Sequence, residues 1–193
     1  MLFTGLLMSL AVVMGVLPII WLPIYFTLEL GMANIFLCGY RGKPISISLL
    51  FEGFDKKVFV RNVGGLGWRT LWLLIWALIP FAGIVMFIIK MYSYAFVPYI
   101  MLNEPDISAG DALKKSMRMT YGYKGKMFLV NLLIGIGVFV LLLILFAIFM
   151  IPYVGWLISG IAYIIVMALF PLLMGIVFAA NYDKVVSENP EYQ

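Results

Sequence analysis

The sequence predicts an all-α, polytopic membrane protein: about six transmembrane helices in three hairpins, with two cytoplasmic amphipathic helices between them. Three observations carry this expectation. Hydrophobic residues make up 65% of the chain and charged residues 11%, far outside the soluble range. Long uncharged apolar runs alternate with two basic islands, and each run has a proline-bearing break near its middle. The whole chain, 1–193, reads as a single membrane domain.

The first hairpin is expected over 1–40. Met1 to Leu28 carries no charge, and no basic start or small-residue cleavage site marks it as a secretory signal peptide. The apolar stretch to Tyr40 is about twice what one helix needs to cross a hydrocarbon core of roughly 30 Å. Leu17-Pro18 to Leu22-Pro23 supplies the hinge, and the first span, about Leu2 to Gly15, is short.

A basic segment follows over 41–69, with Arg41, Lys43, Lys56, Lys57, Arg61 and Arg69 against Glu52 and Asp55. Pro44 and Ser46 or Ser48 precede Leu50, Phe51, Phe54 and Val58, which are spaced for one face of a surface helix. The second hairpin, 70–102, is apolar except for Lys90 and turns at Pro80-Phe81-Ala82-Gly83. One long kinked helix over the same residues is the alternative.

The second basic segment, 103–126, opens with Asn103-Glu104-Pro105-Asp106, where Pro105 stops the preceding helix. Ser108 and Asp111 are spaced as a capping box, so a helix starts near Ala109. Ala112, Leu113, Met117 and Tyr121 fall on one side of it and Lys114, Lys115 and Arg118 on the other, the pattern of a short helix at a membrane surface. The third hairpin, 127–182, runs 56 residues without a charge and turns at Ile151-Pro152-Tyr153-Val154-Gly155. The tail, 183–193, is short, polar and expected to fray.

Eleven of the thirteen Lys and Arg residues sit in the two islands. By the positive-inside rule both islands are cytoplasmic, so an even number of crossings separates them and both termini lie inside. A single kinked helix over 70–102 would put one island outside. Leu17-Pro18, Ile79-Pro80 and Ile151-Pro152 each divide two apolar runs, as a threefold internal repeat would. Pro98 and Pro171 recur later in the second and third hairpins, where they should kink the returning helix.

Glu29 and Lys90 are the two charges inside expected spans. Counted from the hairpin prolines, each lies about 15 Å deep, so they can pair near the midplane. The structural reading is an ion pair, or Lys90 reaching toward water; the functional reading is a substrate or proton site. Asn34, Tyr92, Ser93, Tyr94, Asn131, Ser159 and Tyr163 either line a polar cavity with them or hydrogen-bond between helices. Trp68, Trp72 and Trp76 form a ladder on one helix face, and Trp21, Tyr153 and Trp156 fit an outer aromatic belt. Gly135 with Gly137, and Gly155 with Ser159, permit close helix approach.

Enzyme chemistry has little to stand on. There is no histidine, Cys38 is alone, and no phosphate-cradling loop, carboxylate pair or nucleophile elbow is present. No cofactor or metal site is expected. The net charge of +4 is better explained by loop orientation and anionic lipid than by nucleic acid.

The run from Ile79-Pro80 through Met91-Tyr92-Ser93-Tyr94-Ala95 and Pro98-Tyr99-Ile100 to Asn103-Glu104-Pro105-Asp106-Ile107-Ser108-Ala109 resembles a family of bacterial multipass membrane proteins, the domain-of-unknown-function-975 family. Ala112-Leu113-Lys114-Lys115-Ser116, Gly122, Lys124, Phe128, Leu50-Phe51, Gly53-Phe54 and Pro152-Tyr153 extend it over most of the chain from about Gly31. Two features depart: the family's basic amphipathic leader and its Trp after Phe128 are missing here. The resemblance implies a bacterial cell membrane and about six spans, and it brings no activity.

The first functional expectation is therefore a non-enzymatic protein of the bacterial cytoplasmic membrane. Its amphipathic helices would contact anionic lipid headgroups, or another membrane protein, through Lys56, Lys57, Arg61, Lys114, Lys115 and Arg118. The alternative is a small-solute transporter or transporter subunit with a polar site at Glu29 and Lys90.

Overall fold

The computed structural model describes the backbone of residues 2–80 and 82–192, and side chains over 21–55, 58–80 and 82–192. The described residues are helical, with no strand among them. The helices are α1 (Leu2–Tyr40), α2 (Ser48–Phe51), α3 (Lys56–Ala77), α4 (Gly83–Ser93), α5 (Val97–Asn103), α6 (Ala109–Met119), α7 (Lys124–Phe149) and α8 (Gly155–Glu188). Four stretches are long and apolar enough to cross a membrane: Trp21–Tyr40, Gly83–Asn103, Lys124–Phe149 and Gly155–Glu188.

The expected first hairpin is not formed. Leu2–Tyr40 is one continuous helix with no turn between Leu17 and Pro23. A proline inside a helix frees one carbonyl a turn earlier, whereas a full turn in hydrocarbon would leave several backbone groups unpaired at several kcal/mol each. Locally, the Thr27 hydroxyl donates to the Pro23 carbonyl at 2.8 Å. Continuous helix is the smaller loss.

The first basic segment does not hold one surface helix over Leu50 to Val58 either. It breaks into α2, a 3-10 turn over Glu52–Phe54, and a new helix after Asp55, whose backbone leaves the helical region at ψ 129°. The cause lies in α1. A Cβ on Gly31 would meet the Leu50 carbonyl at 2.2 Å, and one on Gly53 would meet Thr27 at 2.9 Å. Two glycines thus let this segment pack backbone to backbone along α1, which a regular amphipathic helix could not do.

The other two turns fall where the sequence places them. α3 and α4 pack together on either side of the expected turn, of which Phe81 lies outside the described residues, and α7 and α8 across 150–154, where Tyr153 takes a φ of 66°. The break expected at Pro98 is also present: α4 ends at Ser93, and α5 begins with Pro98 in its first turn. Pro171 stays inside α8. α3 is long enough to cross a membrane, but Arg61, Arg69 and its polar first half keep it out of the apolar set.

The core is built around α5. Val97, Pro98, Tyr99, Ile100 and Met101 are all buried, and Leu66 of α3, Ala112 and Met119 of α6, and Ala179 and Val185 of α8 join the same cluster. α1 and α8 run toward this core in the same direction, with Phe36 against Gly175 and Arg41 bound to Asp183 at 2.6 Å. Beyond it, α7 from Phe128 and α8 back to Ile176 expose Leu, Ile and Phe on most faces. That projecting hairpin is about 30 Å long at 1.5 Å per residue, matching a hydrocarbon core.

Candidate functional site

The polar residues collect at one end of the helices. Arg61 of α3 donates to the carbonyls of Met101, at 3.0 Å, and Pro105. Asn103 donates to the Tyr182 hydroxyl at 2.7 Å, Lys115 pairs with Glu104, and Tyr123 donates to Glu188 at 2.7 Å. With Arg41 and Asp183, these contacts tie the C-terminal ends of α1, α5 and α8 to one another, to α3 and α6, and to the start of α7. The two basic islands therefore meet, as the charge pattern requires. Burial pulls the Arg61 guanidinium below its usual pKa while Asp106 opposes the shift, and a guanidinium stays charged regardless.

α6 is capped as expected. The Asp111 amide donates to Ser108 Oγ at 3.2 Å, and Ser108 in turn donates to the Asp111 carboxylate at 2.7 Å. The helix does not lie with its apolar face in lipid, however. Ala112, Leu113, Ser116 and Met119 are buried against the rest of the fold. Lys114 and Arg118 remain exposed with Tyr121, while Lys115 is half-buried on Glu104. Together with Glu191 and Tyr192 of the tail, these residues line a groove of about 840 Å³. The expected headgroup contacts thus divide: Lys114 and Arg118 face outward, Lys115 and Arg61 brace the fold, and the side chains of Lys56 and Lys57 lie outside the described residues.

The expected Glu29–Lys90 pair is not formed. Glu29 pairs with Arg69 of α3 at 2.8 Å. Lys90 lies over the rings of Trp76, at 4.9 Å, and Tyr94, at 5.8 Å, and its Nζ is 3.9 Å from the Met117 sulfur. The depth count for Glu29 started from a turn at Pro18, and without that turn it has no origin. Charge alone places Arg69 in the cytoplasmic segment, whereas α3 brings it to Glu29 of α1.

The small polar residues mostly join helices. Asn34 donates to Glu52 at 3.1 Å and Asn131 to the Tyr92 hydroxyl at 3.2 Å. Ser159 and Tyr163 line a groove between α7 and α8. A Cβ on Gly155 would meet the Ile148 carbonyl at 2.2 Å, so that glycine is a contact point, whereas Gly135 and Gly137 have open space beside them. Trp68 and Trp72 stack edge to face at 6.0 Å, and Trp21, Tyr153 and Trp156 are exposed.

Beside Glu29 and Arg69 lies a cleft of about 320 Å³, which sequence reasoning missed. Phe36 of α1, Leu73 of α3, Tyr94 and Tyr99 on either side of the α4–α5 break, and Phe178 of α8 line it. Only Nη2 of Arg69 bonds to Glu29, and the buried Nε has no partner. An apolar position pattern gives no sign of such a site, because it assembles from five helices. Among the described residues no three metal-ligating side chains stand together.

No protein-family model, curated protein or solved structure matches this chain.

Proposed function

We propose that the chain is a non-enzymatic multipass protein of the bacterial cytoplasmic membrane that holds anionic lipid headgroups in the groove along α6. The observation that carries this reading is how α6 divides its two faces. Its apolar face is consumed inside the fold, while Lys114 and Arg118 face outward beside Tyr121 in a groove. Each surface cation near an anionic leaflet contributes about 1 kcal/mol. This gives an electrostatic contact, not an inserted helix.

Membership of the domain-of-unknown-function-975 family is part of the same proposal. The topology we infer has fewer crossings than six. α1, α7 and α8 cross; the apolar half of α3, from Thr70 to Ala77, is about 12 Å long and reaches only partway. Trp76 near its far end contacts Lys90, which touches Met117 of α6, so the α3–α4 turn stays close to the basic end. The positive-inside rule asks for an even number of crossings between the islands, and none satisfies it as well as two. On this reading the tail is cytoplasmic, and α1 starts on the other side.

The test is stability in nanodiscs of zwitterionic lipid with and without anionic phosphatidylglycerol. Anionic lipid should stabilise the wild type, and Lys114→Gln/Arg118→Gln should lose most of that gain. Equal stability in both bilayers for the wild type contradicts the lipid reading. A protein crosslinked to α6 equally in both bilayers would favour a membrane-protein partner instead. The transporter alternative loses its shared Glu29–Lys90 site, because the two side chains face different surroundings.

A further inference from the structure

We propose that the cleft beside Glu29 and Arg69 binds the uncharged acyl ester of a small amphiphile, with the ester carbonyl on the guanidinium and the chain against the apolar wall. Both Glu29 oxygens lie 2.8 Å from the same nitrogen, Nη2 of Arg69. The carboxylate is answered, but the guanidinium has five N–H donors and uses only one nitrogen. Its Nε is buried without a partner, and the side chain is only 14% exposed. A buried donor left unpaired is costly, more so when charged.

Arg69 lines the cleft with its charge already answered by Glu29, so the site presents a guanidinium without spare positive charge. A second carboxylate would find the guanidinium already neutralised and would be repelled by Glu29. A neutral acceptor meets no such penalty. Tyr99 stands on the same wall with a hydroxyl that can donate. Phe36, Leu73 and Phe178 provide the apolar surface for a chain. At about 320 Å³ the space is at the small end of ligand sites, which suits one short chain and a compact head.

An acyl ester could be a free small molecule or part of a bilayer lipid, and the experiment separates these. The full-length protein is placed in nanodiscs of ether-linked, zwitterionic lipid, so that the added probe is the one ester present. Methyl decanoate labelled with 13C at its carbonyl is titrated, and saturable binding is read from the carbonyl resonance against empty nanodiscs. Decanoate and decane are the comparison ligands. The wild type should bind methyl decanoate saturably, decanoate more weakly, and decane without saturation.

Arg69→Gln should weaken the ester about tenfold or more. Leu73→Trp fills the cleft while leaving the ion pair intact, so it should remove binding without removing the fold. Glu29→Gln frees the positive charge and should reverse the preference, so that decanoate binds more tightly than the ester. That reversal cannot arise from misfolding. Competition by ester-linked phospholipid would identify a lipid as the source, and its absence a free ester. Preference of the wild type for decanoate, equal saturable binding of decane, or unchanged ester binding in Leu73→Trp would overturn the proposal. None of these outcomes bears on the groove along α6.

Discussion

Ser116 Oγ donates to the Ser93 carbonyl at 2.8 Å and accepts from the Phe96 amide at 3.2 Å. One side chain of α6 thus answers two backbone groups where α4 stops and α5 begins. Thr120 adds a bond to the Ser116 carbonyl at 2.8 Å. A helix break inside an apolar segment is tolerated only where protein groups answer it. The basic helix is therefore part of the packing that makes the Tyr94–Phe96 break possible. Ser116→Ala should cost about 1–3 kcal/mol, chiefly by leaving the Phe96 amide unpaired, and Ser187→Ala, at an exposed site, should cost almost nothing. Chemical unfolding of the purified protein in detergent measures both.

Gly31 and Gly135 make a matched pair. A methyl group on Gly31 runs into the Leu50 backbone, while the space beside Gly135 is open. Gly31→Ala is expected to destabilise by about 1–3 kcal/mol or more, and Gly135→Ala to be neutral or slightly stabilising through helix propensity. Thermal unfolding in one detergent compares them. Equal effects would show that α2 does not sit on α1 as described.

The Glu29–Arg69 pair should behave as a coupled unit. Either Glu29→Gln or Arg69→Gln leaves a largely buried charge behind and is expected to cost roughly 2–3 kcal/mol, whereas the double substitution should cost less than their sum. Lys90→Met keeps the packing between Trp76 and Tyr94, so its effect should be additive with Glu29→Gln. A double-mutant cycle on unfolding free energies reads the coupling. Strong coupling between positions 29 and 90 would restore the partnership expected from sequence.

Acid should act through the α6 cap. The Ser108 hydroxyl, then Lys114, holds the Asp111 carboxyl below its usual pKa. A group whose folded pKa is depressed contributes stability above its unfolded pKa, about 3.9, and loses that contribution as pH falls through the folded value. The stability difference between wild type and Asp111→Asn should therefore be constant above about pH 5 and shrink below about pH 4. Thermal unfolding across pH 3 to 7 measures it. A difference that persists at pH 3 would remove the carboxylate from the account.

Much of the layout was legible because charge and proline act locally. Ser108 and Asp111 named the start of α6, and Ile79-Pro80 and Ile151-Pro152 named two turns, since each signal is carried by adjacent residues. Pro18 and Pro23 misled because a proline does not say whether a helix turns or merely loses one bond. That choice depends on what surrounds the chain. Arg69 was misassigned for a related reason: charge counting places a basic residue at a surface, and a partner on another helix can hold it inside. The cleft and the buried face of α6 were not visible, because both depend on which helices meet across long sequence separations.

The shared face of the two basic segments is tested most directly by sided labelling. In a Cys38→Ser background, single cysteines at Lys43, Lys126, Leu78 and Tyr153 are exposed to a membrane-impermeant maleimide in intact cells and in inverted vesicles. The account predicts that Lys43→Cys and Lys126→Cys label only in inverted vesicles, Tyr153→Cys only in intact cells, and Leu78→Cys not in intact cells. Labelling of positions 43 and 126 from opposite sides would contradict it.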